Sequence, residues 1–191
     1  MTTASAKTPS PPPALSFAPE LLLLAQGVRA AIFDVDGVLT DGALYYSDQG
    51  EAIKRFCTLD GHGIKLLQQA GITPVVISGR DSQALRSRLA GLGVTQLRCA
   101  VADKRAAAEE IFQSLGVSWG ECAAIGDDWP DLPLLARCKL ACAPPGAHVE
   151  VRARAHYVTQ AAGGFGAARE FCDLLLVASG RYAQLLQDAQ P

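Results

Sequence analysis

The chain has no apolar run long enough to cross a bilayer, no excess of positive charge and no cysteines at metal-binding spacing. The leucine run Leu21 to Leu24 falls far short of the ~20 residues a membrane helix needs. The stretch before it lacks the charged start and cleavage pattern of a secretory signal. The reading is a cytoplasmic protein without a membrane partner. A net charge of -2 gives no reason to propose nucleic acid. The six cysteines, Cys57, Cys99, Cys122, Cys138, Cys142 and Cys172, form no C-x-x-C pair, so reduced and mostly buried thiols are expected. No stretch is long enough for a large cap domain, so an active site on this chain should be open unless another subunit covers it.

With 49% hydrophobic and 19% charged residues, 191 residues suit one domain with a sizeable core. Met1 to about Ala18 is rich in Ser, Thr, Ala and Pro and reads as a disordered leader. Residues 19–191 read as the single domain. Glu20 to about Gln26 could form a short helix over one edge. Short apolar runs then alternate with helical patterns: strands at Ala30–Phe33, Val75–Ile77, Gln96–Cys99, Cys122–Ile125 and Leu140–Cys142, with helices at about Gly63–Ala70, Ser82–Leu92, Lys104–Leu115 and Leu132–Arg137. That rhythm predicts an α/β fold, a Rossmann-like parallel sheet with helices on both faces. Leu44-Tyr45-Tyr46 and Ile53-Lys54-Arg55-Phe56 flank Ser47-Asp48-Gln49-Gly50, the turn chemistry of a short β-hairpin flap.

Chemistry concentrates where the apolar runs stop. Phe33-Asp34-Val35-Asp36-Gly37 sets two carboxylates two residues apart at a strand's carboxyl end, the edge of an α/β sheet where ligands bind. Such a pair can divide nucleophile and acid/base work, or form an ordinary solvated turn. Ser78-Gly79-Arg80 ends another strand with a hydroxyl, backbone N–H groups and a guanidinium, all suited to phosphate. Lys104 places a cation at a helix N-terminus, where anions are favoured. Gly126-Asp127-Asp128-Trp129-Pro130-Asp131 follows a fourth run with three carboxylates, which call for a cation. Helix capping is the alternative role for Asp131.

In this order, Asp-x-Asp, Ser, Lys and Gly-Asp-Asp-x-x-Asp, the set resembles the four signatures of the haloacid dehalogenase-like phosphohydrolases. From about Val28 to Gly180 the chain is similar to their 3-deoxy-D-manno-octulosonate 8-phosphate (KDO 8-phosphate) phosphatase family. The carrying segments are Phe33 to Val38 with Thr40-Asp41-Gly42, Asp60-Gly61-His62-Gly63-Ile64, Ser78-Gly79-Arg80, Tyr157-Val158-Thr159 and Gly163-Gly164-Phe165-Gly166-Ala167-Ala168-Arg169-Glu170.

The resemblance implies a magnesium-dependent phosphatase acting through an aspartyl-phosphate in lipopolysaccharide precursor synthesis. Asp34 is then the nucleophile and Asp36 the acid and base, with Ser78 and Lys104 as donors to the phosphoryl group. A proton donor also favours phosphatase over dehalogenase, because a halide leaves without a proton. Mg2+ falls to the carboxylates of Asp34 and Asp127 and the backbone carbonyl of Asp36, while Asp128 and Asp131 orient water or Lys104. The substrate falls to Asp36, Cys57, Thr58, Leu59, Asp60, Gly61, Lys65, Ser78, Gly79, Arg80, Arg88 and Lys104. It also implies a homotetramer, with the hairpin in its contacts and the glycine-rich segment near a neighbour's active site. The three glycines read as a flexible stretch, and truncation after Ala162 is expected to alter turnover as well as assembly.

Three positions depart from the family pattern: Lys65 and Leu59 stand where arginine is common, and so does Phe165. The alternatives are a phosphatase for a longer sugar acid such as 2-keto-3-deoxynononate 9-phosphate, a noncatalytic interaction module of the same fold, and a phosphate-accepting receiver domain. Retention of Asp34, Asp36, Ser78, Lys104 and Asp127 argues against the module. The position of the acceptor within the first motif, and the chain's length, argue against the receiver.

Overall fold

A computed structural model describes residues 14–190. Most of the expected leader lies outside those residues, but at its far end the Phe17 ring meets the Tyr157 ring edge-on at 5.8 Å. The elements in chain order are α1 (Pro19–Ala25), β1 (Ala30–Phe33), β2 (Tyr45–Ser47), β3 (Gly50–Ile53), α2 (Thr58–Gln69), β4 (Thr73–Ile77), α3 (Gln83–Leu92), β5 (Gln96–Arg98), α4 (Lys104–Leu115), β6 (Cys122–Ile125), α5 (Leu132–Leu135), β7 (Leu140–Ala143), α6 (Val149–Arg152), β8 (Tyr157–Val158), α7 (Ala167–Ala178) and α8 (Tyr182–Asp188). Six strands form one parallel sheet in the order β5-β4-β1-β6-β7-β8, and β2 and β3 pair as a separate antiparallel hairpin. The alternating pattern thus gives the open sheet it predicts.

Why the core takes two layers follows from β1. Successive side chains of a strand point to opposite faces, and Ala31 and Phe33 join one apolar cluster while Ala30 and Ile32 join the other. The first cluster takes buried residues from α1, α2, α3 and α7, and the second from α4, α5 and α6. Phe33 and Phe171 of α7 meet edge-on at 5.3 Å. All four residues of β1 are buried, as expected for a strand covered on both faces.

Boundaries differ from the sequence reading at α2 and at the hairpin. Helix α2 starts at Thr58 rather than near Gly63, so the stretch read as a substrate loop is its first turn, with Cys57 at the cap. Gly61 and Gly63 lower helix propensity, yet packing requires them. A Cβ at Gly61 would lie 2.2 Å from an Arg88 nitrogen, and one at Gly63 would lie 3.0 Å from Cys172 Cβ. The hairpin turns at Asp48-Gln49, and its second strand ends at Ile53, leaving Lys54 to Phe56 beyond the ladder. The short elements α6 and β8 have too few residues for a periodic signal, and the sequence reading did not place them.

The segment around Gly163 is packed, contrary to the flexible stretch expected. A Cβ on Gly163 would fall 1.8 Å from the Gly37 carbonyl oxygen, and one on Gly164 would fall 2.5 Å from Asp41 N. These glycines allow backbone to lie against backbone. Helix α7 behind them buries Ala167, Ala168, Phe171, Cys172, Leu174, Leu175 and Leu176. Truncation after Ala162 would therefore remove part of the core, and it is not a clean test of a tail.

Candidate active site

The chain runs from β1 outward to β4 and β5 on one side, then crosses back to β6, β7 and β8 on the other. The strand order reverses at β1, and the crevice outside the carboxyl ends at such a point is where open α/β sheets bind ligands. Phe33 is in register with Val76 of β4 and Ile125 of β6. Asp34, Ser78 and Asp127 therefore leave adjacent strands at the same edge. Lys104 reaches that edge from the first position of α4, whose N-cap Asp103 accepts from Arg105 N at 3.0 Å and Ala106 N at 3.1 Å.

Two glycines make room for the acids. Gly37 has φ +91°, and a Cβ there would fall 2.1 Å from Asp127 Oδ2. A Cβ at Gly126 would fall 2.4 Å from Asp131 Cβ. Asp34, Asp127 and Asp131 each offer an oxygen within 4.8 Å of the others. Lys104 Nζ bridges two of them, at 2.5 Å from Asp34 Oδ1 and 2.7 Å from Asp131 Oδ1. The other oxygen of Asp131 accepts from Asp127 N at 3.1 Å and from Asp128 N at 3.4 Å. Asp131 thus orders the turn before it and also holds Lys104, while its side chain makes no cap hydrogen bond to α5, the alternative role that the sequence left open.

The electrostatics follow from crowding. Burial raises Asp34 to about 6, with Asp131 adding to the rise and Lys104 opposing it. Burial raises Asp127 further, to about 8, helped by the negative charges of Asp34 and Asp131. Burial pulls the Lys104 ammonium down, but Asp34 and Asp131 outweigh it and the net shift is upward. One lysine does not neutralise two buried carboxylates and a half-buried third. An oxygen-only donor set with surplus negative charge suits a hard divalent cation. The acids gathered here are Asp34, Asp127 and Asp131, so the side-chain cluster contains Asp131, which the sequence reading placed outside the metal set.

Ser78 is buried, and its Oγ accepts from Arg80 N at 3.1 Å. The loop beside it is braced by Val101 N donating to Ser78 O at 3.1 Å, next to Ala100, whose φ of +56° is rare for a residue with a side chain. Arg88 donates to the Cys57 carbonyl at 3.2 Å and so ties α3 to the cap of α2. Asp60 is buried and accepts from Arg169 N at 2.8 Å, engaging the first turn of α7. Burial raises its pKa against the backbone N–H groups of Arg169 and Gly166. Thr58, Leu59, Lys65, Gly79 and Asp128 are exposed, and Gly61 is buried beneath Arg88.

The sequence reading missed part of the site. Glu51 and Lys54, from the hairpin and the residue after it, fold over the Asp-x-Asp loop. Lys54 Nζ pairs with Asp36 Oδ1 and lies 3.2 Å from Glu51 Oε1. Arg80 donates to Glu51 Oε2 at 2.7 Å and to the Tyr46 hydroxyl at 3.2 Å. The Arg80 hydrogen bond is the leading cause that holds Glu51 below its ordinary range. A Glu and a Lys three residues apart beside a turn were the available signal, but hairpin patterning does not say what the hairpin covers. The hairpin leaves Tyr45, Tyr46 and Ile53 exposed, with Leu44 beside it.

The haloacid dehalogenase-like hydrolase family matches residues 100–169. The chain is 38% identical over 162 residues to the 3-deoxy-D-manno-octulosonate 8-phosphate phosphatase KdsC of Escherichia coli (strain K12), covering 85% of this chain and 86% of that protein. Against the phosphatase of the same name from Haemophilus influenzae, identity is 42% over 156 residues, covering 82% and 87%. The 3-deoxy-D-manno-octulosonate 8-phosphate phosphatase from Moraxella catarrhalis, solved in complex with magnesium ion, phosphate ion and KDO, superposes with a TM-score of 0.87. Its identity is 33%, covering 90% of this chain and 98% of that one.

Proposed function

On the premise that the chain belongs to the KDO 8-phosphate phosphatase family of haloacid dehalogenase-like hydrolases, and is a phosphoric monoester hydrolase, we propose that it hydrolyses KDO 8-phosphate to KDO and phosphate in lipopolysaccharide precursor synthesis. The carrying observation is the convergence of Asp34, Ser78, Lys104 and Asp127 on one sheet edge, with Lys104 bridging Asp34 and Asp131.

Asp34 attacks phosphorus and the bond to the sugar oxygen breaks, while Asp36 gives that oxygen its proton. Water then attacks the aspartyl-phosphate and yields its proton to Asp36. The acyl-phosphate bond breaks, free phosphate leaves and the Asp34 carboxylate is restored. Dividing one slow displacement into two steps is the advantage of the carboxylate nucleophile. Lys104 and Ser78 donate to phosphoryl oxygens whose charge spreads in the transition state. Asp131 holds Lys104 in place.

The oxygen donors fit magnesium, with the carboxylates of Asp34 and Asp127 and the backbone carbonyl of Asp36 as its holders. When bound, it supplies positive charge that neutralises and orients the phosphate. Arg80 and Arg88 are the cations assigned to the sugar acid and phosphate. Lys65 and the turn Cys57 to Gly61 are assigned to the same substrate, with Asp60 acting through its hold on α7.

The exposed Leu44, Tyr45, Tyr46 and Ile53 support a homotetramer assembled through the hairpin. No helix among the described residues is long and apolar enough to cross a membrane, which fits the cytoplasmic placement. The test is phosphate release from a panel of sugar acid phosphates with and without magnesium, alongside sedimentation equilibrium. Highest kcat/KM on KDO 8-phosphate is expected. Preference for the nine-carbon nononate phosphate would overturn the substrate and leave the phosphatase chemistry standing.

A further inference from the structure

We propose that Lys54 is a positioning residue for Asp36, fixing the carboxylate so that Oδ2 is the oxygen that exchanges the proton. The inference rests on the reading of Asp36 as general acid and base.

The geometry distinguishes the two oxygens. Oδ1 is held by the Lys54 ammonium and approached by Thr40 Oγ1 at 3.5 Å. Oδ2 has Arg80 Nε at 3.7 Å, too far for a hydrogen bond, and that Nε has no hydrogen-bond partner. Thr40 is itself fixed, because its Oγ1 accepts from Gly42 N at 3.2 Å. One oxygen is thus committed to hydrogen bonds and the other meets only the longer ion pair with Arg80.

Lys54 is unusual in what it gives up to be there. Its side chain is 2% exposed, although lysine normally keeps its ammonium in water. Burying that charge is costly unless it is paired, and here it lies between Asp36 and Glu51, with Glu51 in turn held by Arg80. The result is a chain of alternating charges, Asp36–Lys54–Glu51–Arg80, that starts at the reacting centre and ends at the guanidinium assigned to substrate. An ionised Asp36 held in this way is the form that accepts the proton of the attacking water. The same rotamer presents Oδ2 when the carboxyl carries the proton for the leaving sugar oxygen.

The experiment compares esters with different leaving groups. KDO 8-phosphate loses an alkoxide and needs the proton, whereas 4-nitrophenyl phosphate loses a stable phenolate and does not. In Lys54→Met the kcat/KM for KDO 8-phosphate should fall by about 10²-fold, the scale of a misplaced catalytic group. That for 4-nitrophenyl phosphate should hold. On the aryl ester kcat and KM should fall together, because water attack on phosphorylated Asp34 still needs the base. Lys54→Arg should restore most of the loss.

Equal losses of kcat/KM on both esters, or none on the sugar phosphate, overturn the proposal. An Asp36→Asn control that discriminates between the esters when Lys54→Met does not defeats this inference alone. A control that fails to discriminate removes the premise and the inference with it. If Lys54→Met does not fold, Glu51→Gln loosens Lys54 without deleting it, and a smaller loss with the same selectivity is expected. Equal effects on both esters would again refute the proposal.

Discussion

Replacing Gly163 with alanine tests whether the glycine-rich turn holds the Asp-x-Asp loop in place. The added Cβ would lie 1.8 Å from the Gly37 carbonyl oxygen and 3.1 Å from that of Thr40. An ordinary carbon–oxygen contact is about 3.3 Å, so one of the two backbones must retreat by about 1.5 Å. Neither contact is the end of a flexible side chain that could swing away. The turn is also fastened, by Gly164 N to Val38 O at 2.9 Å and by Arg55 Nη1 to Gly164 O at 2.9 Å. Overpacking of this kind costs about 1–3 kcal/mol. For a chain of this size that corresponds to a fall in Tm of about 2–12 °C. Because Gly37 follows Asp36, kcat should fall by about 10²-fold, the scale of an ångström's misplacement. The assay pairs thermal unfolding with kcat at saturating KDO 8-phosphate and magnesium. Gly91→Ala, in α3 with open space around it, is the control and should gain about 0.5–1 kcal/mol with kcat unchanged. Wild-type Tm and kcat in Gly163→Ala would refute the close packing.

Asp34→Asn should abolish phosphate release while leaving Tm near that of the parent, because the amide keeps the shape and removes the nucleophile; substantial turnover would rule out the covalent route. In EDTA, stability should fall as pH rises from about 4 to 8. Asp34 at about 6 and Asp127 at about 8 bind protons more tightly folded than unfolded, so their contribution is complete below the unfolded value of 3.8 and is lost as pH passes through the folded values. Magnesium should flatten that slope in a series of unfolding curves, since a cation bound only to the folded state replaces the protons; a pH-independent apoprotein would contradict the crowding. Against a thiol reagent, Cys122, Cys138, Cys142 and Cys172 should stay silent in the folded protein, because all four are buried and burial raises each thiol. Reaction should be confined to the half-buried Cys57 and Cys99, and labelling of all six cysteines without unfolding would contradict the core described.

The parts of the site carried by strand ends could be read in the sequence. Short apolar runs stopping at Asp34, Ser78 and Gly126 mark both the element and its functional end, because an alternating β and α pattern leaves few other arrangements. Lys104 was readable from its helix start. The residues that escaped are those whose role depends on tertiary approach. Gly61 and Gly63 look like helix breakers until Arg88 and Cys172 are placed against them. Gly163 and Gly164 look flexible until the backbone at Gly37 to Asp41 is seen beside them. Glu51 and Lys54 look like surface charges on a hairpin, and only the direction in which that hairpin folds makes them neighbours of Asp36 and Arg80.

The loop from Asp34 to Gly42 is therefore gripped from two sides by different physics. The hairpin side uses charge, through Lys54, Glu51 and Arg80, and so acts on side chains. The Gly163 side uses backbone contact, and so acts on the path of the chain. Arg55 joins them, donating to Gly164 O and lying 4.0 Å over the Phe165 ring, immediately after the lysine that holds Asp36. The cation–π contact sets a guanidinium against the phenylalanine, so the turn carries positive charge from the hairpin side. Among the described residues, the elements that pack directly on the Asp34 to Gly42 loop are the ones that order Asp36. The hairpin is one of them, and the cross-strand pair Tyr45 and Ile53 on its opposite side is exposed. In the proposed tetramer, burying that side would restrain the hairpin and with it Lys54, so subunit contacts and the geometry of the acid/base share one element.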